Sequence, residues 1–316
     1  MTRIGSSDLD VLPLSLGGNT FGWTSDEEQS RGVLDAFAAA GGNFIDTADV
    51  YSAWAEGNAG GESEHILGRW LAERGDRQEL VIATKVSQHP EFKGLSASTI
   101  TAAADASLDR LQTDYIDLYY AHFDDADTPL EESLGALDAL VTAGKVRYVG
   151  ISNYSADRIE EWMSIVKANG FAAPVALQPH YNLVHRRPFE SELAPLAEKY
   201  NLGVVPYSSL ASGFLTGKYR TREDLQGAAR GQAAGGYLND AGLAVIAELR
   251  GIAAAHDVAP ASAALAWLRS RPTVAAPIAS ARTVEQLPAL IAAASLELSA
   301  EEISRLDSVS EGIGTE

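Results

Sequence analysis

The chain has 316 residues, 46% of them hydrophobic, which is enough to bury one sizeable core or two smaller ones. Its formal charge of -19, from 43 acidic against 24 basic residues, repels phosphate backbones and anionic lipid, so neither nucleic acid nor a membrane is an expected partner. With no cysteine, the chain has no disulfides, thiol nucleophiles or cysteine-ligated metals. The start, Met1-Thr-Arg-Ile, lacks a basic region followed by an apolar core, and no later apolar run approaches the roughly 20 residues of a membrane span; a soluble, cytoplasmic protein is expected.

Thr2–Pro13 mixes polar and apolar residues around Gly5-Ser-Ser-Asp and reads as a hairpin. Eight short apolar strand candidates follow: Ser15–Gly18, Asn43–Asp46, Leu80–Lys85, Tyr115–Tyr120, Val146–Ser152, Val175–Gln178, Gly203–Tyr207 and Val274–Ala279. Helical periodicity fills the gaps at Glu27–Ala40, Ser63–Arg74, Thr99–Leu111, Leu130–Ala143, Ser155–Asn169, Phe189–Tyr200 and Gly242–Ala255 with Pro260–Ser270. Ser25–Glu28 and Ser299–Glu302 carry the S-x-x-E capping box, and Thr128-Pro129 places proline at a first helical position. Strand and helix alternating eight times predict an α/β fold of the (β/α)8 TIM-barrel type rather than a doubly wound sheet, with the hairpin capping its bottom. No linker or composition break divides residues 1–316, so one domain is expected. Tyr219–Asp240, with Gly227, Gly231, Gly235 and Gly236, is too long for an ordinary connection and reads as a mobile loop beside the site.

In such a barrel Asp46, Lys85, His122, Ser152, Asn153, Gln178, Tyr207, Ser208 and Ser280 all fall at or just past the C-terminal ends of strands, the rim where barrel active sites are built. Tyr51 follows the second strand. An acid, a phenol, an ammonium and an imidazole at one rim are expected to lower the phenol's pKa from about 10 and ready it for proton transfer to a carbonyl. The acidic run Asp124, Asp125 and Asp127 suggests a metal, but six histidines with no H-x-H or H-x-x-x-H pair give it no partners. No metal is expected, and the run reads as a solvated loop leading to the Thr128 cap.

Seven motifs in order, GGNFIDTADVY from Gly41, GESEHILGRWL from Gly61, ATKV from Ala83, ASLDRLQTDYIDLYYAH from Ala106, AGKVRYVGISNY from Ala143, LQPHYNL from Leu177 and VPYSSLASGFLTGKY from Val205, resemble the aldo-keto reductase superfamily. The resemblance implies NADP(H)-dependent reduction of an aldehyde, ketone or sugar-like carbonyl, with NAD(H) as the alternative cofactor. It places Asp46, Tyr51, Lys85 and His122 as the catalytic four: Tyr51 as general acid, Lys85 held by Asp46, and His122 orienting the carbonyl. It also implies cofactor contacts from Gly18, Asn19 and Thr20; from Ser152, Asn153 and Gln178 to the carboxamide; and from Tyr207 stacked on the nicotinamide. Ser208, Leu210, Ser212, Gly213 and Lys218 would wrap the pyrophosphate, with backbone N–H groups near Leu210, Ser212 and Gly213 and charge from Lys218. Ala279, Ser280, Arg282 and Gln286 would meet the adenosine phosphate, although Ala279 and Leu290 stand where relatives often carry glycine and asparagine.

No G-x-G-x-x-G or Tyr-x-x-x-Lys pattern supports another nicotinamide fold. Phe21, Trp23, Trp54 and Phe123 lie in rim loops as candidate walls for a substrate, whereas Trp70, Trp162 and Trp267 sit at helical spacing and read as packing. The expected partner is a small carbonyl or alcohol, with a monomer favoured over an assembly. Rival readings are an alcohol or sugar dehydrogenase, a cofactor-sensing accessory subunit like the potassium-channel β-subunits of the same superfamily, and a barrel isomerase or lyase without nucleotide.

Overall fold

In the computed structural model, which describes residues 1–313, the eight expected strands form one parallel sheet. They are β3 (Ser15–Gly17), β4 (Phe44–Asp46), β5 (Val81–Val86), β8 (Ile116–Ala121), β9 (Val146–Ser152), β10 (Pro174–Gln178), β11 (Gly203–Val204) and β12 (Ile278–Ala279). They neighbour one another in chain order, and β12 returns to β3 with Ile278 opposite Ser15. A bridge from Val204 to Val274, with Val204 N–H donating to the Thr273 carbonyl at 2.8 Å, joins β11 to the approach of β12 and closes the TIM barrel. The last two strands are shorter than expected because Pro206 and Pro277 lack the N–H that a continuing ladder requires.

The predicted hairpin is β1 (Thr2–Arg3) paired antiparallel with β2 (Asp10–Val11). Its Ile4, Leu9 and Val11 close the barrel interior, packing with Phe44, Leu118, Tyr120 and Val205. A small second hairpin, β6 (Gln88–His89) with β7 (Phe92–Lys93), was not anticipated and follows β5 at the opposite end.

Outside the strands run α1 (Glu27–Ala39), α2 (Glu62–Ala72), α3 (Ala97–Leu111), α4 (Leu130–Thr142), α5 (Ala156–Asn169), α6 (Ala194–Lys199), α7 (Gly231–Gly235), α8 (Asp240–Ala255), α9 (Pro260–Arg269), α10 (Leu287–Ile291) and α11 (Ala300–Ser310). Their apolar stripes and the outward faces of the strands share the larger core, which includes Trp70, Trp162 and Trp267, the packing tryptophans. The Ser299 capping box is present, but α1 is capped by Asp26 with Gln29 rather than by Ser25 with Glu28. Ser25 instead donates its hydroxyl to the Arg282 carbonyl at 3.1 Å, tying the first rim loop to the last.

Pro129 occupies the cap position of α4, one residue earlier than expected, and the Thr128 hydroxyl donates to Asp125 at 2.7 Å. The helix expected at Phe189–Tyr200 begins as a wide π-type turn, Phe189–Leu193, before α6; Pro195, near the start of α6, lacks the N–H for a continuous α ladder. The long segment after Tyr219 is also less irregular than expected, since it contains a 3-10 turn at Glu223–Leu225 and the short α7. Among the described residues no helix is long and apolar enough to cross a membrane.

The plug at the barrel bottom depends on one backbone position. Gly5 has φ +52°, and a Cβ there would lie 2.2 Å from the Val175 carbonyl oxygen. Gly5→Ala is therefore expected to destabilise the protein by about 1–3 kcal/mol through strain and overpacking, seen as a lower urea midpoint with an unchanged denaturant slope. An unchanged midpoint would mean that the hairpin is not seated as described.

Candidate active site

Strand alternation in a parallel barrel aims successive side chains inward and outward, and at the C-terminal ends the inward ones meet. Asp46 is the last residue of β4, Lys85 lies near the end of β5, and His122 immediately follows β8. The Lys85 side chain is fully buried, and each of its three ammonium protons has an acceptor: Asp46 Oδ2 at 2.7 Å, the Thr47 carbonyl at 2.7 Å and Tyr51 Oη at 2.9 Å. Gln178 Nε2 donates to the other Asp46 oxygen at 2.9 Å. Since Tyr51 Oη accepts from Lys85, its own proton is left for Asp46, at a long 3.3 Å, or for a group in the cavity. The His122 ring faces that of Tyr51 edge-on with centroids 6.3 Å apart.

The electrostatics correct one expectation. Burial, reinforced by the Asp46 carboxylate, pushes the Tyr51 phenol well above its usual range rather than lowering it. Burial works on Lys85 in the opposite sense, lowering its pKa against the pull of Asp46. Tyr51 is thus held in the protonated form that a proton donor needs. Burial and the nearby Lys85 depress His122 well below its ordinary value, so its ring is neutral; Nδ1 is buried without a hydrogen-bond partner, which leaves Nε2 for a ligand.

These groups open onto a cavity of about 1000 Å³, the upper end of the range for small-molecule sites. Its wall includes Asp46, Tyr51 and His122 and extends past β11 and β12; Lys85 lies behind them. Among the described lining residues Asp46 is the only carboxylate, while Lys218, Arg230 and Arg282 bring positive charge. Within a chain of net charge -19, this is a local inversion of sign suited to an anionic ligand.

Most of the sequence-derived contacts lie on this wall: Asn19, Thr20, Asn153, Gln178 and Tyr207, then Ser208, Leu210, Ser212, Gly213 and Lys218, and finally Ala279, Ser280, Arg282 and Gln286. Trp54 and Phe123 also line it, and at 51% and 40% exposure they are two of the few large apolar side chains presented to solvent. Gly18, Ser152 and Trp23 do not. Gly18 is buried, its N–H donating to the Asp46 carbonyl and its carbonyl accepting from Ser63. Ser152 is fully buried and donates sideways to the Gln178 carbonyl at 2.9 Å. Trp23 backs Trp54 at 5.6 Å and underlies the Arg230 guanidinium, whereas Phe21 is fully buried in the core.

The loop after β11 takes left-handed backbone at Ser208, Ala211, Ser212 and Gly213, strain of the kind that collects at ligand clamps. At Gly213 a Cβ would come within 3.1 Å of Lys218 Nζ, so the missing side chain leaves the ammonium its space. The Gly213 N–H itself is spent on the Leu210 carbonyl at 2.9 Å and is not free for a ligand as expected. Nor is the acidic run merely solvated: Arg158 grips Asp124 through two 2.7 Å contacts, and Asp125 accepts from Leu95 N–H and Thr128.

Sequence reasoning missed two groups. Arg230, the one basic residue in the Gly/Ala-rich stretch from Gly227 to Gly236, enters the cavity, donates to Asn19 Oδ1 at 2.9 Å and has no carboxylate in ion-pair distance among the described residues. Burial lowers its pKa. The other is Asp49, buried behind the site with both carboxylate oxygens lacking hydrogen-bond partners, while neighbouring Glu64 is satisfied by Thr84 and Arg110.

The sequence profile of the Aldo/keto reductase family matches residues 13–311. The chain is 36% identical over 297 residues to a probable voltage-gated potassium channel subunit beta of Oryza sativa subsp. japonica, covering 90% of this chain and 88% of that protein. It is 35% identical over 314 residues to norsolorinic acid reductase stcV of Emericella nidulans, covering 94% and 78%. A third relative, the uncharacterized oxidoreductase YrpG of Bacillus subtilis, is 34% identical over 325 residues, covering 100% and 97%.

Burial, with Glu64 adding repulsion, raises the Asp49 carboxyl well above its usual range. A carboxyl with a raised folded-state pKa contributes fully below its unfolded value, about 3.9, and costs stability as pH rises towards the folded value. Asp49→Asn removes that titration. Its urea midpoint relative to wild type is expected to climb from pH 4 to pH 8, and a pH-independent difference would contradict a raised Asp49.

Proposed function

The chain belongs to the aldo/keto reductase family, and from that premise we propose that it is an NADP(H)-dependent oxidoreductase reducing an aldehyde, ketone or sugar-like carbonyl to the alcohol. The observation that carries this reading is the Tyr51 hydroxyl at the cavity wall, hydrogen-bonded by a buried ammonium and facing a neutral histidine. The strained loop at Ser208–Gly213, the space kept for Lys218 and the three cations fit an elongated anionic dinucleotide. Asn153, Gln178 and Tyr207 would hold its nicotinamide end, and Ser280, Arg282 and Gln286 its adenosine phosphate, with Arg230 and Lys218 between.

When bound, the cofactor supplies hydride to the carbonyl carbon. His122 Nε2 meets the carbonyl oxygen and orients it. Tyr51 donates its proton to that oxygen, so the oxygen does not carry a full negative charge. The Lys85 ammonium, 2.9 Å from the phenol oxygen, offsets the charge left on Tyr51, and Asp46 and Thr47 keep it there.

A cofactor-binding accessory subunit is the second reading, favoured by the relative named as a potassium channel subunit beta. Failure of bound NADPH to be oxidised by any of a broad carbonyl panel would select it.

Tyr51→Phe is expected to slow NADPH-linked reduction by roughly 100-fold or more while NADPH affinity barely changes, since the transferable proton is lost and the nucleotide contacts lie elsewhere. Near-normal turnover would remove Tyr51 as the acid. Wild type is also expected to bind NADPH more tightly than NADH, and Arg282→Ala to lose about ten- to a hundredfold of the NADPH affinity alone, the scale of a charge-assisted contact to a 2′-phosphate. Equal affinities in wild type, or an undiminished preference in the variant, would show that this loop does not read the phosphate.

A further inference from the structure

The turn after β10 stacks two imidazoles against the ring of Tyr207, and the chemistry above gives neither of them a part. Asn182 builds this turn. Its backbone N–H donates to the His185 carbonyl at 3.3 Å and its carbonyl accepts from His185 N–H at 3.0 Å. Its side-chain oxygen accepts from Val184 N–H and its amide donates to the Ser208 carbonyl, both at 2.9 Å. The result folds His185 back onto His180, with ring centroids 3.8 Å apart and planes within 15°. His180 is in turn stacked with Tyr207, at 5.3 Å and 21°.

From Tyr207 the contacts run on to the catalytic rim. The Tyr207 hydroxyl donates to Asn153 Oδ1 at 2.8 Å, and Asn153 Nδ2 donates to the His122 carbonyl at 2.9 Å. Tyr207 is thus fixed at two places, its hydroxyl and its stacked ring. Burial keeps both imidazoles uncharged: His180 is pushed down to about 4, with the neighbouring His185 opposing its protonation, and His185 is lowered as well. Arg186, next in the chain, is paired with Glu190 at 2.9 Å. At neutral pH the pair therefore acts as two flat neutral rings, the state in which offset stacking is favourable.

We propose that His180, backed by His185, is a positioning residue that sets the plane of Tyr207 and through it the grip on the nicotinamide half of the cofactor. This rests on the reading of Tyr207 as the ring that stacks on the nicotinamide. A ring already held in its binding orientation avoids the ordering cost that a loose one meets on association. Without His180, Tyr207 keeps its hydroxyl bond and loses the neighbour that fixes its tilt.

The test is titration of NADPH, and separately of adenosine 2′,5′-bisphosphate, which lacks the nicotinamide half, into wild type, His180→Ala and His180→Phe. In His180→Ala the dissociation constant for NADPH is expected to rise about tenfold while that for the bisphosphate stays within about twofold, and His180→Phe, which keeps a flat ring, recovers most of the loss. Unchanged NADPH affinity in His180→Ala, equal losses for both ligands, or no recovery in His180→Phe would overturn the proposal. Wild type that binds the bisphosphate but not NADPH more tightly would instead remove the stacking role of Tyr207, and failure to bind either would remove the cofactor reading itself.

Discussion

The Lys85 ammonium is wholly withdrawn from water, and three acceptors from the short stretch Asp46–Tyr51 take up its three protons. A buried charge without partners is costly, and removing one member of such a pair leaves the other uncompensated, at about 3–5 kcal/mol. Much of the site follows from satisfying it. Asp46 gives one oxygen to Lys85, and its second oxygen accepts from Gln178, supplied from β10, across the barrel from β4. Tyr51 must turn its oxygen towards Lys85, which frees its proton for the cavity side. Closure of the barrel brings Asp46 and Gln178, 132 positions apart, within hydrogen-bond reach at one rim.

A second constraint is charge. A chain at -19 can attract an anionic ligand only where cations gather locally. Lys218 and Arg230 come from the long connection after β11 and Arg282 from the one after β12, and the last two are tied to the first rim loop: Ser280 and Arg230 both donate to Asn19, Thr20 donates to the Ala281 carbonyl, and Ser25 to the Arg282 carbonyl. These are polar contacts among loops rather than apolar packing. They leave the cavity wall wettable and available to a ligand.

The apolar aromatics at the mouth have a different origin. Trp54 and Phe123 are exposed because no described residue covers them, Trp23 and Tyr51 flanking one and His122 the other. Together with the Tyr51 hydroxyl and His122 they give this end of the cavity an apolar rim around two polar groups, the usual makeup of a small-molecule site.

Repeated apolar runs separated by helical periods determined the barrel from sequence, because period and alternation are local properties of the chain. Motif spacing likewise placed Asp46, Lys85 and His122 at strand ends, and the structure puts those three and Tyr51 together. Sequence did not determine strand lengths where Pro206 and Pro277 break the ladder, nor the cap of α1, where Ser25 and Asp26 are both competent and tertiary contact with Arg282 decides between them. It could not find Arg230, because nothing in a Gly/Ala-rich loop says which way it folds. It also gave the wrong sign for the Tyr51 pKa: proximity of an ammonium can be read from motifs, but the desolvation that outweighs it is a property of everything packed around the phenol. Local pattern settles which elements form; burial, charge balance and loop closure depend on contacts between distant residues and exist only once the barrel has closed.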